Sequence, residues 1–440
     1  MNLAAVLRGQ LDAFLGRAPT ANGGSSRDTR GAAGLGLAAA LDSFLVLVFT
    51  VVLARVLGPA GYGSLAALTS TFLILAIAGT GLQTTVAREI GWRSAAGEMP
   101  PRSSVRRWSS ALTLVALSVL IASLLLREAI AAVIGVDEEW AAAVTVPMAA
   151  LWLLISFQRG VLLGASEYRA VGLSVVAEPA GWLLLGGTAA FLGLGVTGAL
   201  LGMAGAEIAV ALFLYAELGR RSGADARAGP AAWLGFRQVL GGAAVPMAAL
   251  VLFAFLQNVD VIAVNHLASQ EAVASSYAAA SVAAKVIVWI AIGVGFYLLP
   301  EAARRAASGL DVRRLLARGF GVVLATAAPM ILLYALAGQL LLEAVFGADL
   351  DAASSALALL GVAMTLLAIT YLMVQYQLAL GRKALLYLLG LAALIEPMLL
   401  VLVGMDFTQI ALALVGLQLV LASSFLALSV RSPRLGRGIA

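Results

Sequence analysis

About twelve apolar runs of roughly 18–25 residues follow one another along this chain, and each is long enough to cross about 30 Å of hydrocarbon as a helix. The runs are continuously apolar rather than alternating, so helices and not barrel strands must satisfy their backbone polar groups. The expected spans are 38–56, 62–84, 109–127, 141–163, 170–191, 196–216, 238–263, 275–299, 319–341, 353–378, 384–403 and 408–429. Hydrophobic residues make up 62% of the 440 and charged residues 12%. A soluble domain carries about 25% charge, so the bilayer is the only comfortable solvent for this surface. The predicted fold class is an all-α polytopic membrane protein with twelve transmembrane helices.

The net charge of +5 is explained by where the arginines lie. Arg88, Arg93 and Arg106 fall between spans two and three, Arg220, Arg221 and Arg227 between six and seven, and Arg304, Arg305 and Arg313 between eight and nine. The alternate loops, such as GVDEEW and FGADLDAAS, are short and acidic or neutral. The positive-inside rule then puts both termini in the cytoplasm of a multi-pass protein of the cell's inner (cytoplasmic) membrane. Nucleic acid is not an expected partner; membrane lipids are.

Within span five, VVAEPAGWLL sets Glu178 beside Pro179, and span eleven repeats the pair as Glu396-Pro397. Gln158 precedes Gly164 at the end of span four as Gln375 precedes Gly381 at the end of span ten, and Tyr62 has a counterpart in Tyr277. These echoes occur in order, which indicates a duplicated six-span unit. Six crossings are even, so the copies run in the same sense and their pseudo-twofold axis should lie along the membrane normal. The expected organisation is a cytoplasmic N-terminal segment 1–37, a six-helix lobe 38–218, a linker 219–237 whose Gly, Ser and Pro suit a flexible join, a second lobe 238–429 and a cytoplasmic tail 430–440. Residues 1–37 lack the long apolar core of a secretory signal. Glycine totals 46 residues; in LLLGGTAAFLGLGVTGALLGMAG it recurs at helical spacing and suits close helix packing, with local unwinding as the alternative.

The stretch LARVLGPAGYGSLAAL, with Ala54-Arg55, Leu57-Gly58-Pro59 and Tyr62-Gly63, is followed by Gly81-Leu82 and Arg88-Glu89. This resembles the opening signature of the polysaccharide-biosynthesis, O-antigen-type flippases of the MATE-like multidrug/oligosaccharidyl-lipid/polysaccharide superfamily. QNVDVIAVNHL, Pro300 and LALGRK continue the likeness, which covers essentially everything beyond residue 38. The resemblance implies a MATE-like, two-lobed exporter. By alternating access it would carry a polyprenyl-pyrophosphate-linked oligosaccharide from the cytoplasmic to the outer leaflet, without covalent chemistry. It also implies a glycan polymerase and glycosyltransferases as partners. The second-half counterpart of the Gly-Pro-x-x-Tyr-Gly signature has degenerated to Ser269, Gln270 and Tyr277. Two alternatives are a cation-coupled exporter of drugs or other small molecules with the same architecture, and a membrane assembly protein that transports nothing.

The chain has no cysteine and a single histidine, His266, which leaves no material for a disulfide, a thiolate nucleophile or a zinc centre. Neither a Walker A loop nor a Gly-x-Ser-x-Gly elbow is present. No cofactor is expected; the energy would come from an ion gradient, with Na⁺ or H⁺ as the coupling ion, from the membrane potential or from the substrate gradient itself. Candidate site residues are therefore polar side chains at membrane depth, where charge is costly enough to be functional by default. Lys285 lies deep in span eight. It would either meet the pyrophosphate or pair with a carboxylate such as Asp260 or Glu207. Arg55, at the outer end of span one, would receive headgroup phosphate or anchor its helix. Arg88, at the inner end of span two, would shape the inner binding site or serve topology. Asp260 with Asn258, and the carboxylates Asp42, Glu178, Glu207 and Glu396, are the candidates for ion coupling or for lining a cleft.

Overall fold

A computed structural model of the chain describes residues 26–95, 102–221, 236–307 and 313–431. The remainder of the N-terminal segment, most of the linker and the end of the tail lie outside these. The described residues form helices joined by short turns, with no strand among them. In chain order these are α1 (Ser26–Leu57), α2 (Tyr62–Ala95), α3 (Arg102–Leu125), the short α4 (Arg127–Ile134), α5 (Glu139–Gly164), α6 (Tyr168–Gly181) and α7 (Gly195–Arg221). They continue as α8 (Phe236–Leu267), α9 (Glu271–Ala307), α10 (Arg313–Phe346), α11 (Ser354–Ala379), α12 (Leu385–Val403) and α13 (Phe407–Arg431).

Eleven continuous helical stretches are long and apolar enough to cross a membrane, and one of them, Tyr168–Arg220, is 53 residues long. That stretch holds two spans. It is interrupted at Gly193 (φ 87°, ψ 11°) and Gly195 (φ 58°), left-handed conformations that glycine adopts without steric cost. The twelve-span reading therefore stands, and its ends shift by a few residues. The first helix starts at Ser26 rather than 38, and the third breaks at Leu126 before α4.

Pro179 lies inside α6 and is followed by a π-helical turn, Trp182–Gly186. Proline has no N–H to give the carbonyl one turn back, so the ladder slips to a wider ring just beyond it. α7 packs closely on that turn. A Cβ on Gly202 would come within 2.3 Å of the Gly186 nitrogen, so only glycine allows this approach.

By their contacts the described residues fall into two units. The first takes those of Met1–Val52, Gly79–Ala122 and Pro147–Ala243; the second takes those of Leu53–Ala78, Ser123–Val146 and Ala244–Ala440. Helices α1, α2, α3, α5 and α8 each contribute to both units. The core of the first unit is built from α2, α5, α6 and α7 through residues such as Ile90, Ile155, Phe157, Val171 and Leu214. Trp108 of α3 stacks on Phe157 with ring centroids 5.5 Å apart. In the second unit α11 is the central helix, buried along nearly its whole length against α9, α10 and α13. Large apolar side chains such as Leu125, Phe191, Leu336, Leu402 and Val420 point outward, as lipid-facing positions do.

Candidate functional site: two buried charge centres

Among the described residues, each unit contains a buried centre of charge. In the second, Lys285 sits in α9 about 20 Å along the helix from Glu271, close to mid-span. Only 4% of its surface is exposed. Its Nζ donates to Asp260 Oδ1 at 3.4 Å and to Asn258 Oδ1 at 3.5 Å, both long for charge-assisted bonds. Asp260 does not depend on the lysine. Its other oxygen, Oδ2, accepts from Ser281 Oγ at 2.7 Å and from the Tyr277 hydroxyl at 3.1 Å. Asn258 Nδ2 donates to the Ala254 carbonyl one turn back, which holds its amide oxygen toward the ammonium. Glu396 of α12 is fully buried within electrostatic reach of Asp260 and Lys285. Its Oε2 receives a 3.5 Å bond from Gln418 of α13, and its Oε1 has no donor among the described residues.

The centre of the first unit is built differently. Arg159 of α5, 4% exposed, donates from Nη2 to Glu178 Oε2 at 2.8 Å and from Nε to Ser174 Oγ at 2.9 Å. Ser174 passes the chain on to the Val171 carbonyl at 2.7 Å. The guanidinium also lies 5.3 Å from the centroid of the Trp152 ring. Half-buried Asp42 of α1 is within electrostatic reach of Arg159. Glu207 of α7 is fully buried within reach of both Glu178 and Arg159, and neither of its carboxyl oxygens has a hydrogen-bond donor among the described residues. One fixed cation thus stands among three carboxyl groups.

The chain matches the family described as polysaccharide biosynthesis protein over residues 29–310, well over half its length. It belongs to that family. The match runs through both charge centres except Glu396 and Gln418. No curated protein sequence matches the chain. Solved structures share its fold at low identity. An inward-facing multidrug resistance MATE family transporter of the MOP superfamily is 14% identical with a TM-score of 0.66, the likeness covering 90% of this chain and 100% of that one. The lipid II flippase MurJ in an inward closed conformation is 14% identical with a TM-score of 0.64, covering 90% and 87%. A MATE transporter of Vibrio cholerae is 19% identical with a TM-score of 0.62, covering 93% and 99%. The fold of this polysaccharide biosynthesis family member is therefore MATE-like, and its long apolar helices make it a multi-pass membrane protein.

Of the residues singled out in the sequence, the structure brings Lys285, Asp260, Asn258 and Glu396 together in one unit and Asp42, Glu178 and Glu207 together in the other. Arg55 joins neither group; its guanidinium bonds the carbonyls of Ala344 and Val345 in the second unit. Arg88 is exposed near the C-terminal end of α2. Sequence reasoning passed over Arg159 and Gln418. Arg159 stands next to Gln158 in ISFQRGVLLG, inside the expected fourth span, and an arginine there was itself a signal.

Proposed function

We propose that this family member is a flippase that moves a polyprenyl-pyrophosphate-linked oligosaccharide from the cytoplasmic to the outer leaflet of the inner membrane, with both termini in the cytoplasm. The observation that carries the reading is the loose pairing of Lys285. A lysine at mid-span must have counter-charge, and a pyrophosphate crossing low dielectric needs a cation. Lys285 is held to Asp260 at 3.4 Å, while Asp260 keeps two hydroxyl donors of its own. The ammonium can therefore turn to a phosphate without stranding the carboxylate, and it can turn back when the headgroup leaves. The Arg159–Glu178 pair, at 2.8 Å with a supporting serine, offers no such exchange. It reads as the element that holds α5 to α6.

Coupling to an ion is assigned to the first unit. Asp42, Glu178 and Glu207 outnumber the single guanidinium of Arg159, and Glu207 receives no hydrogen bond from the described residues on either oxygen. Buried carboxylates in excess are costly unless a cation or proton accompanies them. Binding and release of one H⁺ or Na⁺ beside Glu207 would supply the driving force, since no nucleotide motif is present. A polymerase and glycosyltransferases would act before and after the transfer.

The test is purified protein in proteoliposomes loaded with a fluorescent polyprenyl-pyrophosphate oligosaccharide on one leaflet, with leaflet transfer read by quenching. Transfer faster than in protein-free vesicles, and responsive to an imposed H⁺ or Na⁺ gradient, is expected. Transport of organic cations without any transfer of the lipid-linked saccharide would overturn the reading in favour of small-molecule export.

A further inference from the structure

Helix α10 breaks where no proline requires it. Ala337 stands outside the helical region (φ −138°, ψ 25°), two turns beyond Pro329, and the helix resumes to end at Phe346, about 14 Å further on. Gly338 lets the resumed part turn in against the start of α11. A Cβ there would lie 3.4 Å from both the Leu357 side chain and the Ser354 carbonyl. A broken ladder leaves carbonyls of the preceding turn without helical donors. In a membrane, such backbone persists only where protein buries it or where it lines a cavity. Here it lines an open cavity of about 490 Å³, bounded by residues 334–340 together with Glu343 of the same helix and Ser354 and Ser355 of α11. That is the size of a small-molecule site.

The lining contains no lysine or arginine. Gln339 Nε2 donates to Glu343 Oε1 at 2.9 Å and to Asp351 Oδ2 at 3.0 Å, which uses both of its N–H groups and leaves its oxygen as an acceptor. Among the described residues, no cation pairs with half-buried Glu343 or Asp351, and the second oxygen of each carboxylate receives no hydrogen bond. The Ser354 and Ser355 hydroxyls are also unbonded among the described residues. They stand in the first turn of α11, whose N-cap, Ala353, supplies no side-chain acceptor, at the positive end of a 26-residue helix. The cavity thus offers acceptors on the α10 side and donors on the α11 side. Beside it, Leu336 and Leu340 are 78% and 67% exposed, an apolar strip facing the hydrocarbon.

We propose that this cavity binds a phospholipid whose headgroup carries a primary ammonium, as phosphatidylethanolamine does. The ammonium sits against Glu343 and the freed carbonyls of the broken turn, and so supplies the donors that the ladder lacks. The phosphate meets the Ser354 and Ser355 hydroxyls at the start of α11. The acyl chains lie along Leu336 and Leu340. Three features select this occupant. A primary ammonium has three N–H donors to share between a carboxylate and carbonyls, whereas a quaternary one has none. A lipid with a net negative headgroup brings charge of the wrong sign to two carboxylates that lack a cation. A soluble phosphoamine leaves the leucine strip unused. The site is separate from both charge centres and does not depend on what the protein carries. Its place in the outer leaflet follows from the charge-based topology; its chemistry does not.

The test is native mass spectrometry of the full-length protein, delipidated in detergent. It is titrated with phosphatidylethanolamine, phosphatidylcholine and phosphatidylglycerol of identical acyl chains. The parent should hold phosphatidylethanolamine about tenfold more tightly than phosphatidylcholine, the factor expected of charge-assisted hydrogen bonds that a quaternary headgroup does not make, and phosphatidylglycerol least of all. Glu343→Gln should erase the preference for phosphatidylethanolamine over phosphatidylcholine. Ser355→Ala removes a donor to the phosphate that both lipids share, so it should weaken both alike and keep the preference. Glu128→Gln, which changes an exposed carboxylate of α4 away from the cavity, should alter nothing. The parent's own ranking of the three headgroups needs no variant, and melting temperatures taken without lipid show whether each variant keeps the fold. Soluble phosphoethanolamine at the same concentrations should fail to displace the bound lipid. Equal retention of phosphatidylethanolamine and phosphatidylcholine by the parent, an undiminished preference in folded Glu343→Gln, or displacement by soluble phosphoethanolamine would overturn the site.

Discussion

Glu207 and Gln418 occupy matching positions in the two halves, Gly205-Ala-Glu against Gly416-Leu-Gln, and each lies beside the glutamate of a Glu-Pro pair. Gln418 donates to Glu396 at 3.5 Å, whereas Glu207 sets a second carboxyl group beside Glu178 and has no donor on either oxygen among the described residues. The duplicated frame has thus been kept while its chemistry has diverged. An amide and a lysine serve the second half; a carboxyl and an arginine serve the first.

Substituting Glu207→Gln makes the first half copy the second at this point. The amide can donate to Glu178 and carries no charge that needs balancing, so folding and thermal stability should be kept or improved. The response of transfer to an imposed H⁺ or Na⁺ gradient should disappear. Transfer rates measured with and without the gradient in the variant and the parent check this; an undiminished gradient response places coupling elsewhere.

Arg159→Met leaves Glu178, 3% exposed, without its cation. Breaking one side of a buried ion pair costs about 3–5 kcal/mol, so the detergent-solubilised protein should melt well below the parent. Replacing both partners, Arg159→Met with Glu178→Leu, should recover most of that loss, because neither charge is then stranded. A single substitution that melts like the parent would show that the pair does not hold α5 to α6.

Gly202→Ala puts a methyl group 2.3 Å from the Gly186 nitrogen, in a contact made by backbone that has no side chain to move aside. A loss of about 1–3 kcal/mol is expected from overpacking. The same change at Gly416, around which a Cβ would meet nothing within 4 Å, should be neutral or mildly stabilising through helix propensity. Thermal unfolding of the two variants side by side makes the comparison.

Much of this was legible in the residues because the bilayer leaves few choices. Uninterrupted apolar runs fix helices and their number, and the Glu-Pro twins mark the duplication. Lys285 and Asp260 were each visible as charges at membrane depth, and the structure joins them. Arg159 was passed over because an arginine close to the end of a span reads as a topology signal; its place inside the expected fourth span marked it as a charge at membrane depth, and only the folded chain shows that it meets Glu178. The partners of Arg55 could not be read at all. They are carbonyls of Ala344 and Val345, groups that every residue carries, and only the folded chain shows which of them lie within reach. Likewise, nothing in the sequence said that residues 53–78 and 123–146 would take their contacts from the second half.

The proposal that Lys285 trades Asp260 for a phosphate is open to one comparison. Leaflet transfer of a polyprenyl-pyrophosphate oligosaccharide and of the same oligosaccharide on a neutral lipid can be measured for the parent and for Lys285→Gln. The parent should prefer the pyrophosphate donor by about tenfold or more, as a charge-assisted contact worth about 1.5–3 kcal/mol requires, and Lys285→Gln should move both donors at similar, low rates. A Lys285→Gln protein that keeps the parent's preference for pyrophosphate would contradict it.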